Sequence, residues 1–578
     1  MRNFYALIVA ILLIGSATAQ DTLRNSVGVD PNTNETITWT AGTDYFLDGY
    51  VFVESGDTLV IEPGVVIRGL EEPTDGSQTG SDTTRDDASA LIVAQGGYIK
   101  AEGTATDPII FTSSADVDLN DITDVTAFQN NLWGGVIILG NACLNTDPGV
   151  QQIEGIPSFE TRARYGEDAN GNCNDADDSG ILKYVSIRHG GSLLGQDNEI
   201  NGLTLGAVGS ATTIDYVEVF ANQDDGFEWF GGTVDGKHLI SAFVGDDCFD
   251  YDQGFRGKGQ FWFAIQRSEG GGEGGEFDGG TSPEDGSPFA IPQIVNATII
   301  GPAPGEGDRV MRIRDNAGGY FHNNIYTDFG RGVAIEIRDG ATEYSARRAQ
   351  VGDLQLKNNI FFGLGGSDLT AASRGEAAGF AEADSVAEEA AAVRAEEIMD
   401  SILVAGNNVY VDPGFASVDA NARANNASQS LDPRPLASAA MSDLDLGVYD
   451  STFFDAVNYK GAFSPFGDEF WALGWTALDL YGFLDPAVTS VKEQVFNAAQ
   501  VYPNPAQGMI TVVASEVTAT DVQIFAFDLN GRVIYNTEVR PVAGSIEQEI
   551  SIAEQPAGMY FVTVKAGAQA QTFKVMKQ

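Results

Sequence analysis

The hexapeptide Asp224-Asp225-Gly226-Phe227-Glu228-Trp229 recurs 22 residues later as Asp246-Asp247-Cys248-Phe249-Asp250-Tyr251. Each copy follows a short apolar run, at 216–219 and at 239–243. A step of roughly 20–30 residues is one turn of a stacked solenoid, in which each repeat buries its apolar face only against its neighbours. Elsewhere the same grammar holds. Tyr50-Val51-Phe52-Val53, Leu59-Val60-Ile61, Val65-Val66-Ile67, Ala90-Leu91-Ile92-Val93 and Ile109-Ile110-Phe111 are strand-like runs punctuated by Gly-Asp, Pro-Gly and Gly-Gly turns. Helices are missing where βαβ units need them, so a sandwich or barrel is the competitor, and the internal repeat decides for an all-β solenoid of coiled parallel strands. Asn296, Asn323-Asn324, Asn358-Asn359 and Asn407-Asn408 each precede a further short run, which places stacked asparagines at the rung corners.

These features set the boundaries. Residues 20–45 are a lead-in and cap, and 46–480 form the solenoid passenger. Within it, Val386, Ala390, Val393, Ile398 and Ile402 stand at helical spacing in an Ala/Glu-rich stretch, which predicts an amphipathic helical insertion at about 380–402 lying on or beside the solenoid. The Gly/Glu run at 270–280 is read as a loop. Residues 1–19 read as a secretory signal peptide, with Arg2, an apolar stretch at 4–14 and Ala17-Thr18-Ala19 ahead of Gln20; no later run is long enough for a membrane span.

The chain has 82 Asp+Glu against 32 Lys+Arg, a formal net charge of −50, which repels phosphate backbones and anionic lipid and argues against a nucleic-acid or membrane-surface partner. From Val501 onward seven acids face five bases, so the acidity belongs to the passenger. Of the three cysteines, Cys143 and Cys173 flank a polar stretch and offer a disulfide whose formation the odd count leaves open, while Cys248 reads as a small buried residue.

After a linker at 481–500 the pattern becomes alternating strands with an Asn530-Gly531 turn, which predicts a small β-sandwich of about seven strands at 501–578. Its Pro503-Asn504-Pro505 opening, Gly531, Gly558, Tyr560 and Lys577 resemble the C-terminal sorting domain of type IX secretion cargo. That resemblance implies passage through the periplasm of a Gram-negative bacterium, contact with the type IX machinery, and secretion or display at the outer cell surface. The peptide Asp57-Thr58-Leu59-Val60-Ile61-Glu62-Pro63-Gly64-Val65 resembles the first rungs of right-handed parallel β-helix proteins. More narrowly, 225–233 with 245–254 is similar to exported bacterial β-helix proteins of unassigned role, over roughly 40–480.

Carboxylates carry the candidate chemistry. Residues one turn apart stack at about 4.8 Å, which sets Asp224, Asp225 and Glu228 against Asp246, Asp247 and Asp250. Such repulsion asks for a bridging cation or a retained proton, and hard oxygen ligands favour Ca²⁺; solvated turns are the alternative. A second acidic loop offers Asp168, Asn170, Asn172 and Asp175, although its glycine stands at the wrong position for a strict calcium loop. Asp250, Asp252, Arg256 and Lys258 on one rung, with Arg188 and His189 on an earlier one, are the pieces available to a polysaccharide lyase or glycoside hydrolase. Three histidines, far apart, give no zinc or triad spacing. The expectation is a noncatalytic surface protein contacting polysaccharide or cell-surface glycan, with a carbohydrate-active enzyme as the alternative.

Overall fold

Runs of three to five β-branched and aromatic residues bury too little surface to fold alone, so their stability must come from stacking. The computed structural model describes residues 19–578 apart from 29–32, 72–88, 121, 123, 196–197, 281, 419, 425–430, 436–438, 443, 445–449, 466–469, 485–496, 516, 518–521, 529–532, 543 and 567–568. Residues 1–18 of the expected signal peptide and the Asn530-Gly531-Arg532 turn lie outside these residues.

The passenger is a parallel β-helix of three sheet faces, assigned as one sheet of 28 strands. On the first face Thr58–Ile61, Tyr98–Glu102 and the front halves of Gly180–Arg188, Thr213–Phe220 and Asp235–Ala242 pair in parallel. The back halves of those long strands form the second face, which continues through Phe263–Ile265, Thr298–Ile300, Ile325–Thr327, Ile360–Phe362 and Val409–Tyr410. The third runs from Thr43–Val53 through Ala90–Val93, Val136–Leu139, Leu203–Gly206, Phe227–Phe230, Phe249–Asp252, Glu276–Asp278 and Arg309–Arg314 to Ser373–Ala378. Inside lies one continuous core, with Val51, Leu91, Val136, Leu203, Phe227 and Phe249 stacked down it.

The corner between the first and second faces is turned by one residue of positive φ per coil. Tyr184, Tyr216, His238 and Phe261 (φ +49°, +55°, +52°, +59°) are followed by Asn296, Asn323, Asn358 and Asn407 (+58°, +59°, +52°, +55°). Asparagine tolerates this region, whereas an aromatic residue there is strained. Ring stacking offsets the strain, with centroids 4.4, 4.0 and 5.0 Å apart along the four rings. The asparagine expectation is met one position on. Asn324 Oδ1 accepts the amide of Ala297, Asn359 Oδ1 that of Asn324, and Asn408 Oδ1 that of Asn359 (2.7, 2.8 and 2.9 Å).

Several boundaries differ from the expectation. Ala19–Ser26 and Thr36–Trp39 already pair with Thr43–Val53 and Thr58–Ile61, so the lead-in supplies the first coil. Within the glycine-rich run, Glu276–Asp278 is a strand of the third face. Among the described residues the parallel sheet of the coils ends at Val409–Tyr410, and 450–465 with 470–484 pack back along the outside of the passenger instead of adding coils. The stretch assigned as linker is split, since Tyr481, Phe483 and Leu484 are buried in the passenger and Asn497–Tyr502 is the first sandwich strand.

The inserted helix exists as Ser385–Ala405, and of the expected face Ile398 and Ile402 do pack against the core. Ala395, Met399 and Leu403 enter the core, whereas Val386 and Val393 are 80% and 54% exposed. It lies against the last rung, Ser373–Ala378, where Gly375 lets the backbones meet: a Cβ there would sit 1.8 Å from the carbonyl of Ala392. The helix is therefore an end cap, covering a core that the final coil would otherwise expose. The sorting unit is separate, with a three-stranded and a four-stranded antiparallel sheet enclosing Ile510, Val512, Ile524, Ile550, Val562 and Val564, seven strands as expected. No helix among the described residues is long and apolar enough to cross a membrane.

Met399→Ala is expected to cost about 2–5 kcal/mol in denaturant unfolding of the full chain. Val386→Ala on the opposite face of the same helix is expected to change stability by less than about 0.5 kcal/mol.

Candidate acidic ladder site

The repeated hexapeptide places its acids on the turn into the third face and on that face itself. Strand register sets Thr204 opposite Glu228, Glu228 opposite Asp250, Asp250 opposite Glu276, and Glu276 opposite Arg312. Three carboxylates thus follow one another before the first cation. A parallel column at the turn joins Asp225, Asp247 and Glu273: Asp225 Oδ1 accepts the amide of Asp247 (2.9 Å), and Asp247 Oδ1 accepts that of Glu273. The acids brought together extend beyond the expected six, since Glu273, Glu276 and Asp278 form the next rung and Glu154 and Glu199 face Asp224 from the side.

Among the described residues, neutralisation comes from one end. Arg309 pairs with Glu273 (2.6 Å), Arg312 with Glu276 (3.3 Å), and Arg314 with Glu276 and Asp278 (both 2.8 Å). Toward the other end Glu228 receives only the neutral Asn201 amide. Among the described residues Asp250, in the middle, has neither donor nor cation, and its Oδ1 is buried without a partner. Three groups of oxygens lie within 4.8 Å of one another: Asp225, Glu228 and Asp250; Asp247, Asp250 and Glu276; and Asp224, Asp225 and Asp246. Another such group, Glu284, Asp315 and Glu336, closes around Arg338.

Burial and mutual repulsion set the electrostatics. Loss of hydration first, and neighbouring carboxylates second, push Asp225, Glu228, Asp247 and Asp250 well above the usual carboxylate range. The same causes raise Asp224 and Glu154 to about 7, and burial raises Glu273 to about 8 against the pull of Arg309.

The first face handles charge differently. Glu102, Lys183, Asp215 and Lys237 follow one another in register, so signs alternate from coil to coil. Stacking by itself therefore does not produce runs of like charge.

The remaining candidates are dispersed. Arg256 donates to the carbonyls of Cys143 and Gly254 (3.1 and 2.9 Å) and pairs with Asp175. Lys258 lies on the first face, bonded to Asp235 and Asp450 (2.9 and 3.4 Å). Asp252 stays on the third face beside Asp278. The expected set Asp250, Asp252, Arg256 and Lys258 is thus not one constellation, because a coil turns a corner between its strands and sends neighbouring residues to different faces. Arg188 and His189 are fully buried, with Arg188 bonded to Ser186 (2.9 Å) and His189 to the carbonyl of Gln129 (2.6 Å). Burial pushes His189 down to about 4, so it stays neutral at pH 7.

In the second acidic loop the side-chain amides of Asn170 and Asn172 lie 3.3–3.4 Å from the Asp168 carboxylate. Asp168 Oδ1 accepts the amides of Asn170 and Asn172 (2.8 and 2.9 Å), and Asp175 accepts the amide of Cys143 (3.0 Å) besides pairing with Arg256. Cys143 and Cys173 form a disulfide, and Cys248 is buried.

In the sorting unit, Asn504, between Pro503 and Pro505, holds the last strand by accepting the amide of Met576 (2.9 Å) and donating to Lys574 O (2.7 Å). Gly558 opens a strand in which Tyr560 donates to Pro556 O (2.7 Å), and Lys577 Nζ donates to the carbonyls of Ala553 (2.8 Å) and Gln555. Gly531 lies outside the described residues.

Residues 31–402 match the family described as pectate-lyase-like β-helix domain. The chain belongs to the pectate-lyase-like β-helix family. Residues 500–578 match the secretion system C-terminal sorting domain, which marks this β-helix protein for the type IX machinery and for secretion or the cell surface of a Gram-negative bacterium. No curated protein matches the chain.

With divalent cations chelated, stability is expected to fall as pH rises from about 4 to 7. Asp224 and Glu154 titrate near 7 when folded and near 4 when unfolded, so the folded state binds more protons in that window. Melting temperature against pH in chelator checks this. At pH high enough to ionise Asp250, Asp250→Asn should raise chelated stability by about 1–3 kcal/mol, since it removes an uncompensated charge at constant shape.

Proposed function

We propose that the passenger is a noncatalytic, glycan- or surface-contacting protein whose acidic ladder is completed by Ca²⁺. The supporting observation is Asp250, whose carboxylate stands between Glu228 and Glu276 without a donor or cation while its neighbours' oxygens converge on it. Asp225, Glu228 and Asp250 would hold the ion, with Asp224 and Asp246 at the more open edge. An all-oxygen set of this kind suits a hard cation of flexible coordination. A bound cation would relieve the repulsion and offer remaining coordination positions to acidic sugars.

The noncatalytic reading draws on the same geometry. Arg309, Arg312 and Arg314, the basic groups next to the ladder, are each tied to carboxylates, and Arg256 and Lys258 serve other faces. The enzymatic alternative, a polysaccharide lyase or glycoside hydrolase, draws on the family resemblance and on acids that keep protons near neutral pH.

Addition of Ca²⁺ at about a hundred times its Kd to chelated protein is expected to stabilise the fold by about 2.7 kcal/mol, and Asp250→Asn to remove most of that gain. An unchanged melting temperature would end the metal reading. A panel of acidic and neutral polysaccharides separates the rest: retention on glycan without new reducing or unsaturated ends is expected. Product release abolished by Asp250→Ala or Arg256→Ala would establish the enzyme.

A further inference from the structure

Residues 450–465 and 470–484 add no coil, yet they tie down one flank of the solenoid across many rungs. The first stretch runs outward. Lys237 Nζ donates to Phe453 O (2.6 Å), the Gln260 side chain exchanges two bonds with the backbone of Asp455 (2.8 and 2.9 Å), Asn296 donates to Tyr459 O (2.8 Å), and the amide of Gly461 donates to Asn323 O (2.9 Å). The second doubles back. Trp471 and Trp475 stand edge-on to the Tyr216 ring, 6.0 and 6.1 Å away. The amides of Ala477 and Leu478 donate to the buried Glu218 carboxylate (2.6 and 3.2 Å). Tyr481 donates to Asp116 (3.0 Å) and reaches His189 (3.3 Å), and Phe483 packs on Phe220 and Phe243.

These contacts are far more distant in sequence than those between rungs. Neighbouring coils bond at separations such as 22 and 32 residues, whereas Asp455 meets Gln260 across 195, Ala477 meets Glu218 across 259, and Tyr481 meets Asp116 across 365. Closing such loops costs more chain entropy, and the partners exist only once several rungs have stacked. The rungs, in turn, take their ladder hydrogen bonds from one another.

We propose that this strap is a latch, which closes last on a preformed solenoid and opens as a unit of its own without unstacking the coils beneath. Opening uncovers Phe220, Phe243 and Tyr216 together with the Glu218 carboxylate, so the closed latch is what keeps this flank from proteases and from self-association.

Hydrogen exchange of the full chain, followed by mass spectrometry on peptides from 453–484 and from 213–242, tests this. Strap amides such as Gly461, Ala477 and Leu478 are expected to exchange at least about 100-fold faster than the ladder amides of Val217 and Val219. Tyr481→Phe, which removes one hydroxyl, should speed strap exchange about five-fold and leave the ladder unchanged. A common rate for both segments, shifting together in the variant, would overturn the latch. If Tyr481→Phe moves neither, Phe483→Ala must accelerate the strap alone, and failure there also refutes it.

Discussion

In a parallel ladder every side chain stands over its counterpart at about 4.8 Å, and this register is what the rest of the passenger depends on. It turns each position of a coil into a column running down the molecule. An apolar column makes a core, as with Val51, Leu91, Val136, Leu203 and Phe227. A column of asparagines makes a hydrogen-bonded seam, with each side chain carrying the amide of the adjoining coil. Aromatic residues at the corner position one residue before that seam hold a left-handed backbone conformation, each ring lying on the next.

Charge in such a column is the sharpest case, because spacing leaves no room for like signs to part. The first face avoids the difficulty through alternation, whereas the third face gathers Glu228, Asp250 and Glu276 and neutralises them from the arginine side alone. The gradient from Thr204 through three acids to Arg312 gives that face a polarity along the solenoid axis. The family match and the sorting domain place this surface outside the cell, where millimolar divalent cations commonly compete for such oxygens.

Much of this was legible in the chain. The 22-residue repeat implied the coil, the paired asparagines implied the seam, and the Pro-Asn-Pro opening implied the sorting unit, because each is a local pattern with one mechanical solution. What escaped was non-local. Glu273 and Glu276 belong to the ladder but lie within a glycine-rich run that resembles a loop, since a strand of three residues leaves almost no periodic signal. Arg256 and Lys258 looked like neighbours of Asp250, and corners sent them elsewhere. The buried face of the helix Ser385–Ala405 was legible only in part: Ile398 and Ile402 pack on the core as expected, but the many alanines around the helix leave its centre line unmarked, and the contact with Ser373–Ala378 selects Ala395, Met399 and Leu403. The strap at 450–484 carries no repeat at all; its partners lie up to 365 residues away.

The cap helix also bears on how such a chain can change in length. Because Ala395, Met399 and Leu403 seal the final coil, further repeats appended beyond it would find no open edge on which to stack. New coils can enter only between existing ones, where a duplicated repeat meets the same columns above and below. Longer and shorter relatives of this architecture are then expected to keep the cap and vary in the middle. The acidic rungs, with their repeated hexapeptide pattern, sit among those middle coils.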